Sequence, residues 1–128
     1  DELVDLGSGL GRVLVLAHLL SGARAHGIEL QTHLVERARA TCTELRLPAV
    51  GFEQANAAEI ELDGSVFFLY APFNGDMLAR VVQRLEVVAR RRRITVGTVD
   101  LELHDVPWLV ARPTARAALT LYASTQPA

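Results

Sequence analysis

Apolar positions along the chain follow two rhythms. Short runs at Glu2–Leu6, Ala25–Leu30, Val50–Ala55, Val66–Tyr70 and Ile94–Val99 read as strands, Glu2–Leu6 central and buried, Val66–Tyr70 densely apolar as in a sheet centre, and Val50–Ala55 short and partly polar. Longer stretches lie between them. Gly11–Leu20 is apolar almost all round, which predicts a first helix buried on more than one side. Thr32–Leu45 places Leu34, Ala38, Cys42 and Leu45 on one helical face, with Glu36, Arg37, Arg39 and Glu44 mostly on the other, and Pro48 stops it. Asn56–Glu59 reads as a loop, Ile60–Asp63 as a short turn or helix, and Asp63–Gly64 as a turn. Asp76–Arg90 predicts a third helix with a buried stripe of Leu78, Val81, Val82, Leu85, Val88 and Ala89. The arginines Arg90–Arg93 close it as a solvated end, where cations suit the helix dipole. After a loop at 100–107, Trp108–Val110 and Ala117–Ala123 predict a closing antiparallel pair around Arg112-Pro113-Thr114. Strands alternating with helices on short connections give an α/β sheet with helices on both faces, in one domain over 1–128.

The first of these runs opens the candidate chemistry. Val4-Asp5-Leu6-Gly7-Ser8-Gly9-Leu10-Gly11 runs from a strand into glycines at alternating positions and then into a helix. Such glycines turn the chain sharply, let backbone approach a ligand, and let the helix sit close on the strand. The helix start also leaves amide N–H groups for a ligand to use. Glu29 ends the second strand about twenty residues on, where an acid accepts hydrogen bonds from ribose hydroxyls in a nucleotide-binding βαβ unit. Asp5, Glu29, Asn56 and Pro72 all fall at or just after strand ends, so separate segments converge on one cleft.

Composition narrows the setting. The chain has 128 residues, 50% of them hydrophobic, enough for a real core. A net charge of -2 gives no global case for nucleic acid. Cys42 is the sole cysteine, so no internal disulfide forms, and no signal peptide or membrane-length apolar run is visible. These point to a reducing, cytoplasmic protein that engages no membrane. The chain begins at its first strand without a methionine, as expected of a trimmed core. An exposed edge strand allows a homodimer.

In these motifs the chain resembles the class I S-adenosylmethionine-dependent methyltransferases. The likeness runs through the glycine turn, Gly27-Ile28-Glu29, Asn56-Ala57 and Phe68-Leu69-Tyr70-Ala71-Pro72-Phe73, covering nearly the whole chain. The first motif is similar to that of the seven-stranded histone-lysine methyltransferases, which also reads Asp-Leu-Gly-Ser-Gly. The resemblance implies a Rossmann-like three-layer sandwich around a mostly parallel seven-stranded sheet, with an antiparallel last strand and the N-terminal helix missing. It implies S-adenosyl-L-methionine as cofactor and no metal. By the same resemblance Asp5 acts near the methionine end, and Gly7, Ser8, Gly9 and Gly11 pack on the amino-acid part and ribose. Glu29 grips the ribose hydroxyls, Leu30 covers the adenine, and Asn56 and Ala57 meet its amino edge. Tyr70, Pro72, Phe73 and Asn74 then lie at the sulfonium, where the acceptor enters. That segment is similar, imperfectly, to the Asn/Asp-Pro-Pro-Tyr/Phe motif of enzymes that methylate planar or amide nitrogen.

The resulting expectation is methyl transfer to an acceptor such as a protein or small-molecule nitrogen. Tyr70 and Asn74 are the candidates for orienting the acceptor, and Glu59 is a lesser one. Two other functions stand beside it. An NAD-dependent oxidoreductase fits less well, because its fingerprint spaces the last glycine differently and Asp5 would repel a pyrophosphate. A non-catalytic cofactor- or partner-binding domain would keep the fold and lose the reaction. His18, His26, His33 and His104 lack zinc spacing. His18 reads as a satisfied packed residue, and Cys42 and Trp108 as core.

Overall fold

The computed structural model describes residues 1–70, 75–116 and 118–125. Its elements run β1 (Glu2–Leu6), α1 (Arg12–Ser21), β2 (Arg24–Glu29), α2 (Thr32–Glu44), β3 (Val50–Gln54), β4 (Val66–Tyr70), α3 (Gly75–Arg91), β5 (Thr95–Val99), β6 (Leu109–Pro113) and β7 (Leu119–Ser124). The predicted strands and helices form within a residue or two of their expected bounds, with two exceptions. Ile60–Asp63 takes no helix, and the strand expected at Trp108–Val110 runs on to Pro113, so that Arg112 and Pro113, expected in the turn, pair with β7 instead.

The strands make one seven-stranded sheet in the order β3-β2-β1-β4-β5-β7-β6. Pairing is parallel from β3 to β5, and β7 runs antiparallel to both β5 and β6. This is the Rossmann-like arrangement with an antiparallel last strand. The winding reverses between β1 and β4, where a crevice opens at the carboxyl ends of the strands.

Register divides the side chains cleanly between the two faces. Phe52, Gly27, Asp5, Phe68, Gly97, Leu121 and Arg112 form one row across all seven strands. Val4, Phe67, Val96 and Tyr122 form the adjacent row on the opposite face. The larger core lies on that second face: Val81, Leu85, Val88 and Ala89 of α3 pack there with Leu6, Phe67, Leu69, Val96 and Trp108. Loops carry the rest of this layer, with Ala57, Ala58 and Leu62 before β4 and Leu101, Leu103 and Val106 after β5. The smaller core lies on the first face, where Leu14 of α1 and Val35, Ala38 and Cys42 of α2 cover Ala25, Val50 and Phe52.

Two burial expectations are corrected. Only Leu14 of α1 is buried, while Val13, Leu16, Leu19 and Leu20 are exposed. The helix crosses β1, β2 and β3 on one side only, so Leu14 and in part Val15 are covered while Val13, Leu16, Leu19 and Leu20 face away from the core. In α2 the buried stripe is Val35, Ala38 and Cys42, and Leu45 is exposed because it caps the helix rather than continuing it.

The arginine run, expected as a solvated helix end, is exposed but also finds partners. Arg90 meets Glu86, Arg91 meets Glu61, Arg92 meets Asp63, and Arg93 donates to the Ser124 carbonyl. His18 sits at the end of α1, its Nδ1 2.7 Å from the Ala23 carbonyl oxygen. Among the described residues no helix is long and apolar enough to cross a membrane.

Candidate functional site

The glycine turn is fastened to the neighbouring strand. The amides of Gly7 and Ser8 both donate to the Ile28 carbonyl, at 2.7 and 3.1 Å. Gly11 caps α1 with φ +79°, and a Cβ there would run into the Phe52 ring. Glycine is therefore required on two counts, backbone conformation and space. Gly9, at φ +56°, has no atom within 4 Å of where its Cβ would stand. Its position borders open space.

Glu29 closes β2 and is buried. Its Oε1 accepts the Gly9 amide hydrogen at 2.8 Å and its Oε2 accepts that of Gln31 at 2.9 Å. The carboxylate thus spans from the turn to the start of α2. Each oxygen keeps a further lone pair. Gln54 donates its side-chain amide to the Leu30 carbonyl at 2.8 Å, securing the next residue.

The loop after β3 is closed on itself. Asn56 Oδ1 accepts the Ala58 amide hydrogen and the Asn56 carbonyl accepts that of Glu59, each at 2.9 Å. From α3, Arg84 Nε donates to the Ala58 carbonyl at 2.7 Å. This loop reaches the site through its backbone as much as through its side chains.

Asp5 lies beside the turn in register with Gly27 and Phe68. It is 4% exposed, and its Oδ1 and the Ser8 hydroxyl have no hydrogen-bond partner among the described residues. Burial first, and the nearby charge of Glu29 second, push the Asp5 carboxyl up to about 7. Two buried acids at one turn make a site that favours a cationic ligand.

A cleft of about 210 Å³ opens between these segments. Of the residues expected at the site, Gly7, Glu29, Leu30, Asn56 and Ala57 line it. Asp5, Ser8, Gly9 and Gly11 stand outside the lining, although Gly9 touches it through the Glu29 carboxylate. Tyr70 ends β4 half-exposed and is not part of the lining. Pro72, Phe73 and Asn74 lie outside the described residues. The lining also includes Ile28, Gln31, Ala55 and Met77, which the sequence reading passed over. Gln31 had a signal, since it directly follows Glu29-Leu30 and precedes α2. Met77 had none, because it arrives from a helix two elements away.

No protein-family model and no curated protein matches the chain. Solved structures do. The RNA methyltransferase from Salinibacter ruber, in complex with S-adenosyl-L-homocysteine, is 28% identical with a TM-score of 0.73, covering 97% of this chain and 79% of that one. A variant of MtNAS in complex with S-adenosylmethionine is 16% identical with a TM-score of 0.72, covering 96% and 53%. The putative methyltransferase yhhF from Escherichia coli is 19% identical with a TM-score of 0.71, covering 95% and 73%. The chain therefore spans most of the Salinibacter and Escherichia proteins and about half of MtNAS. With this sheet order, glycine turn and strand-end acid, the chain has the fold of the class I S-adenosylmethionine-dependent methyltransferases.

Proposed function

We propose that the chain binds S-adenosyl-L-methionine in this cleft and transfers its methyl group to an acceptor at the end of β4. The observation that carries the reading is Glu29: one buried carboxylate lines the cleft and holds the glycine turn, with a lone pair on each oxygen left for ribose hydroxyls. The residues present suit the cofactor. The unpartnered Asp5 carboxyl and Ser8 hydroxyl lie beside the turn and supply polar contacts for a cationic amino-acid end. Leu30 and Met77 give apolar cover for a purine, and the Asn56–Ala57 backbone gives its polar edge a partner.

When bound, the cofactor supplies a sulfonium-activated methyl group. The protein's task is alignment and exclusion of water. Tyr70, with Asn74, is assigned to orienting the acceptor. The likeness of Tyr70-Ala71-Pro72-Phe73-Asn74 to nitrogen-methylating motifs favours a planar nitrogen as acceptor. The similarity to an RNA methyltransferase over 97% of the chain favours a nucleobase as its source. A protein or small-molecule nitrogen is the second reading.

The test is transfer of radiolabelled methyl from S-adenosylmethionine into separate RNA, protein and small-molecule pools. Label in RNA supports the first acceptor, and label elsewhere supports the second. Binding of S-adenosylhomocysteine without transfer to any pool would leave a non-catalytic binding domain. Binding of NAD in preference to S-adenosylhomocysteine would overturn the reading altogether.

A further inference from the structure

A second hollow lies across the first turn of α3 from the cleft. Met77 lines the cleft, while Gly75, Leu78, Ala79 and Val82 line this hollow of about 290 Å³. Those helix positions recur at the three- and four-residue spacing of a single face. The opposite wall is the loop between β5 and β6, which gives Leu103, His104, Asp105 and Val106. Leu78, Val82, Leu103 and Val106 are half-buried and rest on the larger core. The floor is therefore apolar, and the volume is close to the about 300 Å³ at which small-molecule sites begin. Gly75 directly follows segment 70–74, so the hollow adjoins the place proposed for the acceptor.

The loop is a fixed wall. Asp100 donates its amide hydrogen to the Ala118 carbonyl at 3.0 Å, and Leu109 donates its own to the Val106 carbonyl at 3.1 Å. Between them, the Leu103 amide donates to the hydroxyl of buried Tyr122 at 3.1 Å. Asp100 and Asp105 take φ of +53° and +56°, a left-handed conformation that aspartate accepts more readily than most residues. Leu103 and Val106 face the core, and His104 and Asp105 stay exposed at the rim.

That rim is acidic. Asp100, Glu102 and Asp105 lie in the loop, and no arginine or lysine occurs from 94 to 111. His104 Nε2 lies 3.4 Å from Glu102 Oε2. No ion pair among the described residues includes Asp105. Asp76, in the first turn of α3, answers the positive end of that helix's dipole. Arg80 and Arg84 of α3 line a different hollow, with Ala58 and Glu59. A ligand that suits the acidic rim is thus apolar in its body and positive at one end. A phosphate chain would meet carboxylates here. A likeness of fold does not carry the charge of a loop with it.

We infer that this hollow seats the apolar body of a small-molecule methyl acceptor whose protonated amine lies against Asp105 at the rim. The inference rests on the methyl-transfer reading and, within it, takes the small-molecule acceptor, because the walls enclose a small-ligand volume and the rim repels phosphate. The amine is an anchor. Being protonated, it lacks the lone pair that a methyl acceptor needs, so the methylated atom is another one.

The test compares three probes with one hexyl body and different charge: hexylammonium, hexanol and hexanoate. In chemical-shift titrations of the whole chain, hexylammonium should bind about fivefold more tightly than hexanol, as exposed carboxylates allow, and hexanoate more weakly than either. Asp105→Asn, which accepts the same backbone conformation, should erase the preference for hexylammonium over hexanol. Ala79→Phe, at an exposed helix position, should fill the hollow and abolish binding of all three while S-adenosylhomocysteine still binds. Equal affinity for hexylammonium and hexanol, or no binding of hexylammonium by a chain that binds S-adenosylhomocysteine, overturns the inference and leaves the methyl-transfer reading standing. So does methyl label that enters RNA or protein in preference to small molecules. A chain that binds hexylammonium but not S-adenosylhomocysteine overturns the methyl-transfer reading, and the acceptor role of the hollow with it.

Discussion

The Glu29 carboxylate accepts the Gly9 amide hydrogen at 2.8 Å, so the acid at the end of β2 and the glycine turn after β1 hold each other in place. The same carboxylate accepts from Gln31 at 2.9 Å. If Glu29 holds the ribose as proposed, cofactor binding and turn geometry are linked through one side chain.

Replacing Glu29 by alanine removes both braces along with the ribose acceptor. Hydrogen bonds to ionised groups contribute about 1.5–3 kcal/mol, so S-adenosylhomocysteine affinity in calorimetry should fall roughly ten- to a hundredfold. The melting temperature should fall as well. Glu29→Gln should also bind poorly, because its amide group presents a donor to the N–H of Gly9 or of Gln31. Wild-type affinity in either variant would remove Glu29 from the site.

Gly9 and Gly11 should part company on substitution. Gly11→Ala places a methyl group against the Phe52 ring at φ +79°, so it should destabilise the fold by about 1–3 kcal/mol. Gly9→Ala meets no protein atom and should cost only about 1–2 kcal/mol of backbone strain. Its larger effect should be on cofactor affinity. Chemical denaturation alongside calorimetry separates the two outcomes.

Asp5 should make stability depend on pH. Its folded carboxyl titrates near 7, raised from 3.8. Between these values the folded chain keeps a proton that the unfolded chain has lost. Stability should therefore fall as pH rises through this window and level off above about 7. Asp5→Asn should flatten the curve and be more stable above pH 7, by up to about 4 kcal/mol. It should also bind the cationic cofactor more weakly. A wild-type melting temperature that rises from pH 5 to 7 while the variant's stays flat would contradict the assignment.

Among the described residues, Arg84 reaches the loop beside the cleft through the Ala58 carbonyl. Arg84→Ala should free the loop that carries Asn56 and Ala57, raising the cofactor KM several-fold with little change in kcat. Arg84→Lys should restore part of the loss. A fall in kcat with unchanged KM would argue against a positioning role.

Much of this was legible locally. The strand runs, the glycine turn and the strand-end acid are each specified within a few residues, and the winding of an α/β chain brings such strand ends together. The stripe of α3 was readable because charged residues mark its outer face. Asn56 was legible as a residue near the strand ends, and it lines the cleft, but its local bond to Ala58 was not legible, since that depends on how the loop closes.

The sequence by itself determined the order of elements along the chain, the glycine turn and the acid at the end of β2, because periodicity, turn chemistry and spacing are properties of neighbouring residues. Only the tertiary structure decided which apolar positions are covered. Leu14 is buried and Leu20 exposed in the same helix, and nothing in their chemistry separates them. What separates them is position: α1 lies over β1, β2 and β3, and Leu14 faces those strands while Leu20 faces away from them. Met77 joins the cleft, and Arg84 its supporting loop, for the same reason, since contact between distant segments is set by packing and not by pattern.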